Sequence, residues 1–122
     1  MKKVDLKQLS IEERLRLICG KDFWHTCDFE GKIPNVRVSD ASMGVRMPVN
    51  PDKWEGDKPS VAYPSIQMLA NTWDMEMVRE YATCVADDCL DMDVDIILGP
   101  GVNIKRSPMC GRNFEYFSED PY

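Results

Sequence analysis

Apolar residues recur along this chain in patterns that each predict an element. Ile11, Leu15 and Ile18 fall at i, i+4 and i+7, one face of a helix. Just ahead, Ser10-Ile11-Glu12-Glu13 reads as a capping box. The Ser10 hydroxyl can accept from the Glu13 N–H while the Glu13 carboxylate reaches back to the Ser10 N–H. Gly20 supplies a C-terminal stop, so the spacing predicts a short amphipathic helix ahead of the main fold. A longer stripe, Met77, Tyr81, Val85 and Cys89, recurs at every fourth position and predicts a core-facing helix, with Asp74 as its N-cap. Val94 to Leu98 is a short, mostly apolar run between Asp93 and Gly99-Pro100-Gly101, which predicts a buried parallel strand. Val36-Arg37-Val38 is a second β-prone run, ending at Ser39-Asp40. Ile66 to Trp73 fits a strand or a helical turn, and the pattern does not separate the two.

Between these elements lie three irregular stretches. Gly31 to Asn35 is a turn punctuated by Gly and Pro. Residues 47–64 hold Pro48, Pro51, Pro59, Pro64 and Gly56, which predicts a long loop of the kind that serves a binding site. Gly99 to Tyr122 is rich in Arg, Asn, Glu and Ser and contains no closing helix. The strand–loop–helix–strand alternation argues an α/β fold. A parallel strand needs neighbours and helices on both faces, and the helices here are too few, so the sequence reads as interrupted.

Charge and cysteine usage narrow the partners. Among the 122 residues, 21 acidic side chains outnumber 15 basic ones, giving a net charge of −6. A chain of that sign is repelled by phosphate backbones and has no basic stripe to offset this, which excludes nucleic acid; Lys105-Arg106 is too short a patch. No stretch approaches the roughly 20 apolar residues that span a bilayer, so no membrane partner is expected. Met1-Lys2-Lys3-Val4-Asp5 has no apolar run behind it and is not a secretory signal. Five cysteines are an odd count with no Cys-x-x-Cys pair, which fits free thiols and a cytoplasmic location.

Two segments carry candidate chemistry. In Ser39-Asp40-Ala41-Ser42-Met43-Gly44-Val45-Arg46 a carboxylate sits just past a strand end, an arginine follows six residues on, and Gly44 permits a tight turn. Active sites of parallel α/β folds are built at that end of the strands. Asp40 could accept from two neighbouring sugar hydroxyls and Arg46 could donate to others or orient the carboxylate. A surface salt bridge at a turn explains the same spacing and, on spacing alone, has the better odds. The second segment, Gly99 to Tyr122, also follows a strand end and mixes glycines, polar hydrogen-bonders and the aromatics Phe114, Tyr116 and Phe117, the composition of an ordered functional loop.

The run Gly99-Pro100-Gly101-Val102-Asn103-Ile104-Lys105-Arg106-Ser107-Pro108, followed by Gly111-Arg112-Asn113-Phe114-Glu115-Tyr116-Phe117-Ser118-Glu119-Asp120-Pro121-Tyr122, strongly resembles glycoside hydrolase family 3, in its β-glucosidase branch. Gly20-Lys21-Asp22-Phe23-Trp24-His25-Thr26, Pro64-Ser65 and Leu69-Ala70-Asn71-Thr72-Trp73-Asp74 resemble other segments of that family, so the likeness covers nearly the whole chain. The resemblance implies the N-terminal part of a (β/α)8 barrel, incomplete here, with residues 1–30 as helix and lead-in and 31–122 as the first part of the barrel domain. It implies a retaining enzyme acting on terminal β-D-glucosyl residues of a β-glucoside or short β-linked oligosaccharide, with no metal and no organic cofactor. Alternatives are a β-xylosidase or arabinosidase of the same family, or a non-catalytic sugar-binding fragment.

Residue by residue, the family's Asp-Gly-Pro-x-Gly-x-Arg element matches Asp40 to Arg46, which makes Asp40 and Arg46 substrate-binding residues. The arginine of Gly-Arg-Asn-Phe-Glu makes Arg112 a third, with Glu115 supporting Arg112. Ser118 to Pro121 look like a structural turn shaping the loop. Ala41-Ser42 stand where the family usually has Gly-Pro, which restores an N–H that proline lacks. The family's Lys-His sugar-binding pair, its nucleophile in a Ser-Asp-Trp context and its acid/base glutamate in a second domain are all expected beyond Tyr122. This chain therefore carries no catalytic residue, and its expected partners include the rest of the barrel and that second domain. Asp40, aimed at outer hydroxyls, is not one of the two carboxyls, about 5–5.5 Å apart, that retaining hydrolysis needs.

Weaker signals resolve blandly. Asp91-x-Asp93-x-Asp95 imitates a calcium loop but has Ile96 where glycine is needed and Val102 where glutamate is needed. His25, the one histidine, reads as a packed or rim residue, and no Cys/His cluster has metal-ligand spacing. Cys84 and Cys89 read as small hydrophobes, and the methionines as core fillers.

Overall fold

The computed structural model describes residues 5–29, 32–40, 42–50 and 52–120, and of Trp54 the backbone alone. Gly31 at the head of the expected turn, Ala41 and Pro51 inside the two expected loops, the first four residues, and Pro121-Tyr122 at the end of the long motif lie outside the described residues.

Helix α1, Ile11–Ile18, starts at the expected capping box. The Ser10 N–H donates to Glu13 Oε2 over 2.7 Å and the Glu13 N–H to Ser10 Oγ over 3.1 Å. Its apolar stripe does not face the core: Ile11 and Ile18 are 77% and 82% exposed. The helix instead turns Leu17 toward a small cluster of Leu9, Cys27 and Phe29. The stop also differs. The chain leaves the helix through an extended Cys19, and Gly20 pairs with Thr26. Glycine is needed there because a Cβ would lie 2.8 Å from the Asp22 carbonyl oxygen.

Strand β1, Val38–Asp40, and strand β4, Ile96–Leu98, pair in parallel with Val38 opposite Ile96 and Asp40 opposite Leu98. The parallel pairing agrees with the sequence pattern. The burial does not, because among the described residues this sheet has two strands, which leaves β4 at an edge with Ile96 and Leu98 exposed. On its other side β1 is continued by the segment around Trp24: the Val38 N–H donates to the Trp24 carbonyl over 2.7 Å, and His25 bridges to Arg37.

The expected loop over 47–64 holds an antiparallel hairpin, β2 Pro48–Asn50 and β3 Lys53–Asp57. Proline does not prevent it, because Pro48 is the first residue of its strand, a position that tolerates the missing N–H. The Lys58 N–H closes the hairpin onto the Met47 carbonyl over 2.7 Å. Ile66 to Asn71 resolve as helix α2, capped by the Ser65 hydroxyl, with Ile66 and Leu69 buried. Helix α3, Met75–Asp91, has the expected cap: Asp74 Oδ1 accepts from the Glu76 and Met77 N–H groups over 2.9 and 3.2 Å. Its stripe faces inward only over the second half. Val85 and Cys89 pack on the cluster of Val45, Met47 and Val94, whereas Met77 is exposed. The described chain is thus a small mixed α/β unit in which β1 and β4 lie side by side.

Candidate functional site

The turn after β1 is built from the strand outward. Ser39 points inward and is 2% exposed. Its hydroxyl donates to the Arg46 carbonyl, while the Arg46 N–H donates to the Asp40 carbonyl over 3.1 Å. The loop from Asp40 to Arg46 is therefore closed at its neck. Gly44, at φ +136°, lets it turn, and a Cβ there would sit 2.2 Å from the Val61 carbonyl oxygen, so both the dihedral and the space require glycine. Two tyrosines hold the loop from beneath. The Tyr81 hydroxyl donates to the Ser42 carbonyl over 3.0 Å, and the Tyr63 N–H to the Met43 carbonyl over 2.9 Å. The two rings lie 5.3 Å apart. The Tyr63 hydroxyl donates to Asp88 Oδ2 over 2.7 Å, and that bond to a carboxylate pushes the phenol up to about 12.

Arg46 is held at several points. Its Nε donates to Asp57 Oδ2 over 2.8 Å, its Nη1 lies 3.7 Å from Asp40 Oδ2, and its guanidinium sits 5.5 Å above the ring of the buried Trp24. Beneath it opens a cleft of about 140 Å³, lined in part by Trp24, His25, Arg37, Arg46, Met47 and Lys58. That is smaller than the roughly 300–1,000 Å³ of complete small-molecule sites. His25 connects two elements. Its Nδ1 meets the Asp22 carboxylate at 2.9 Å, and its Nε2 accepts from Arg37 Nε over 3.1 Å. Burial pushes the Asp22 carboxyl up, but the Trp24 N–H and His25 together outweigh it and hold the group below its ordinary value.

The segment after β4 forms the second half. Gly101 and Tyr116 pair as an isolated bridge, and a Cβ on Gly101 would meet the Glu115 carbonyl oxygen at 2.3 Å. Asn113–Glu115 make a single 3₁₀ turn, which the Gln67 side chain of α2 ties down by donating to the Asn113 carbonyl. Arg112 Nε donates to Glu115 Oε1, and the guanidinium lies 5.9 Å over the Tyr116 ring. The carboxylate side chain is 15% exposed and the arginine 71%. The hydrogen bond to Glu115 holds the Arg112 guanidinium above its ordinary value, so it stays charged.

Asp40 and Arg46 thus fall within ion-pair range, Glu115 engages Arg112, and the link between the two pairs runs through Ser42, whose Oγ donates to Glu115 Oε2 over 3.4 Å. Asp57 and Tyr63 escaped the sequence reading, and Ser39 and Tyr81 were read as part of a strand end and of a helix stripe without their hold on this loop. Ser39 carried a faint signal, a small polar residue inside a β-prone run. Asp57 carried one too, since Lys53-Trp54-Glu55 alternates in the manner of a strand ahead of it.

Residues 18–122 match the profile of the glycosyl hydrolase family 3 N-terminal domain. The thermostable β-glucosidase B of Acetivibrio thermocellus is 43% identical over 121 residues, 96% of this chain and 16% of that protein. An exo-α-(1→6)-L-arabinopyranosidase of Bifidobacterium longum is 38% identical over 96% of this chain and 16% of its own. Among solved structures, a Kluyveromyces marxianus β-glucosidase in complex with glucose superimposes with a TM-score of 0.85 at 38% identity, over 95% of this chain and 14% of that one. The β-glucosidase 3B of Thermotoga neapolitana in complex with glucose gives 0.78 at 31% identity, over 94% and 18%. The chain therefore spans about a sixth of the length of the curated relatives it matches.

Proposed function

Because this chain belongs to glycosyl hydrolase family 3, we propose that it is the opening part of a retaining β-glucosidase that removes terminal non-reducing β-D-glucosyl residues. The observation that carries this reading is the placement of two arginine–carboxylate pairs, Asp40–Arg46 and Glu115–Arg112, on the segments that leave the adjacent parallel strands β1 and β4. Ligands of parallel α/β folds bind at that end of the strands. In this reading Asp40 accepts hydrogen bonds from outer hydroxyls of the sugar. Arg46 and Arg112 donate to others, and Glu115 aims Arg112. The nucleophile and the acid/base lie in the rest of the protein, and the two-carboxylate chemistry needs neither metal nor organic cofactor.

In the whole enzyme β1 and β4 become neighbouring staves of an eight-stranded barrel of about 250 residues, with 1–30 as a lead-in and 31–122 as the start of the barrel domain. The remaining strands of the barrel and a second domain are then this segment's covalent partners. The cytoplasm is the proposed location, which fractionation of cells carrying a tagged full-length protein would test.

A second reading, an arabinosidase specificity, draws on the Bifidobacterium longum relative. One experiment addresses both. The full-length protein is assayed against 4-nitrophenyl β-glucoside, β-xyloside and α-L-arabinopyranoside, and residues 1–122 are assayed alone. Preferred turnover of the glucoside by the full chain and none by the segment is the expected result. Preference for a pentoside would replace the first reading by the second, and turnover by residues 1–122 would refute the assignment of the catalytic groups elsewhere.

A further inference from the structure

We propose that Asp57, on the β2–β3 hairpin, is a positioning residue of the sugar subsite: its carboxylate holds the Arg46 guanidinium away from Asp40, which keeps Asp40 available as a hydrogen-bond acceptor. The inference rests on the reading of Asp40 and Arg46 as sugar-binding groups and adds to it the residue that sets their separation.

The geometry begins in the backbone. The Lys58 N–H donates to the Met47 carbonyl over 2.7 Å. Asp57 stands opposite Pro48 in the antiparallel hairpin, and Arg46 lies two residues before Pro48, a diagonal position from which the long arginine side chain reaches the carboxylate. Asp57 Oδ2 then takes Arg46 Nε at 2.8 Å, while Asp40 Oδ2 stands off at 3.7 Å from Nη1. Trp24 fixes the plane of the guanidinium from the ring side. With two carboxylates competing for one arginine, the closer takes the directional hydrogen bond and the farther keeps its lone pairs for other donors. Without Asp57, Coulomb attraction draws Arg46 onto Asp40, and a carboxylate engaged by a guanidinium is a poorer acceptor for vicinal hydroxyls. Both partners of the Arg46–Asp57 pair are 38% exposed, so the pair adds little to stability and its worth lies in placement.

The test uses the full-length protein with Asp57→Ala, Asp57→Asn and Asp57→Glu. KM and kcat for 4-nitrophenyl β-glucoside, the melting temperature and the Arg46 Nε–H resonance, assigned by its loss in Arg46→Lys, are measured for each. Asp57→Ala should raise KM about tenfold, the scale of one charge-assisted hydrogen bond, with a smaller change in kcat. Its melting temperature should stay within about 2 °C of the parent, and the Arg46 resonance should move. Asp57→Glu should recover part of the affinity, and Asp57→Asn, which still accepts from Nε but lacks the charge, should fall between. An unchanged KM and an unmoved resonance in Asp57→Ala would overturn the proposal, as would a rise in KM that merely tracks lost stability. If the unsubstituted full-length protein turns over no glycoside, the glycosidase reading fails separately. The resonance then decides this one: displaced in Asp57→Ala it upholds Asp57 as the residue that positions Arg46, and unmoved it overturns it.

Discussion

The two arginines that this chain brings to one end of its strands are held in opposite ways. Arg46 belongs to a loop that the fold over-determines. Ser39 closes the neck, Gly44 lets Val61 pass, Tyr81 and Tyr63 grip the backbone, and Val45 is buried against α3. Arg112 belongs to a segment whose order comes from a few local bonds: the Gly101–Tyr116 bridge, the Gln67 anchor and the single carboxylate of Glu115. Around it Val102, Met109 and Phe114 are exposed. The first region can aim a side chain by packing, and the second must aim it by electrostatics. Damage to the first should therefore register as lost stability, and damage to the second as lost function with the fold intact.

The contrast can be broken in the order of expected effect, each time in the full-length protein. Gly44→Ala forces a Cβ onto the Val61 carbonyl at a φ that L-residues avoid. We expect a loss of about 3 kcal/mol or more in denaturant unfolding, and a loss below about 1 kcal/mol would show that the loop relaxes freely. Ser39→Ala leaves the Arg46 carbonyl without its buried donor and should cost about 1–3 kcal/mol in the same experiment. Glu115→Gln should behave differently: a melting temperature within about 2 °C of the parent, because the amide keeps the shape and an acceptor for an arginine that is itself 71% exposed, but a several-fold higher KM for the glucoside. A destabilised Glu115→Gln protein with an unaltered KM would erase the distinction between the regions.

The smallest effect concerns the first region's clamp at high pH. Tyr63 titrates at about 12, above the ordinary tyrosine value of about 10, because it donates to Asp88. A raised value means that its contribution to stability is complete below pH about 10 and is lost as pH climbs through 12. Phenolate absorbance should show a late-titrating component that Tyr63→Phe diminishes; a Tyr63 that ionises at the ordinary tyrosine value would mean that the Asp88 contact is not kept in solution.

Much of this was legible in the linear sequence, and the parts that were not share a physical cause. The capping box, the Asp74 cap and the strand character of β1 and β4 are written in local residue types, so they could be read directly. Glu115 as the partner of Arg112 followed from the likeness of Gly111-Arg112-Asn113-Phe114-Glu115 to the family's motif, and the structure brings the two side chains together. The hairpin was missed because four prolines outweighed the strand pattern between them, although Pro48 occupies the strand position where proline is harmless. The fate of the Ile11–Leu15–Ile18 stripe was missed because periodicity tells which residues share a face, not what lies opposite that face. The contacts Ser42–Glu115 and Tyr81–Ser42 join residues 73 and 39 positions apart, which no local pattern encodes.

The register of β1 against β4 has a consequence for how the chain can change. Asp40 stands opposite Leu98, so the two candidate segments start from the same rung of a ladder although 57 residues lie between Asp40 and Leu98. A residue inserted into either strand would advance one loop relative to the other by about 3.3 Å and flip the faces beyond it. A residue inserted between Lys58 and Val61, ahead of the residues that meet Gly44 and Met43, leaves the rung untouched. Length variation among descendants of this sequence should therefore collect in that connection and spare the two strands, and a library of single-residue insertions scored for folding would draw the same map.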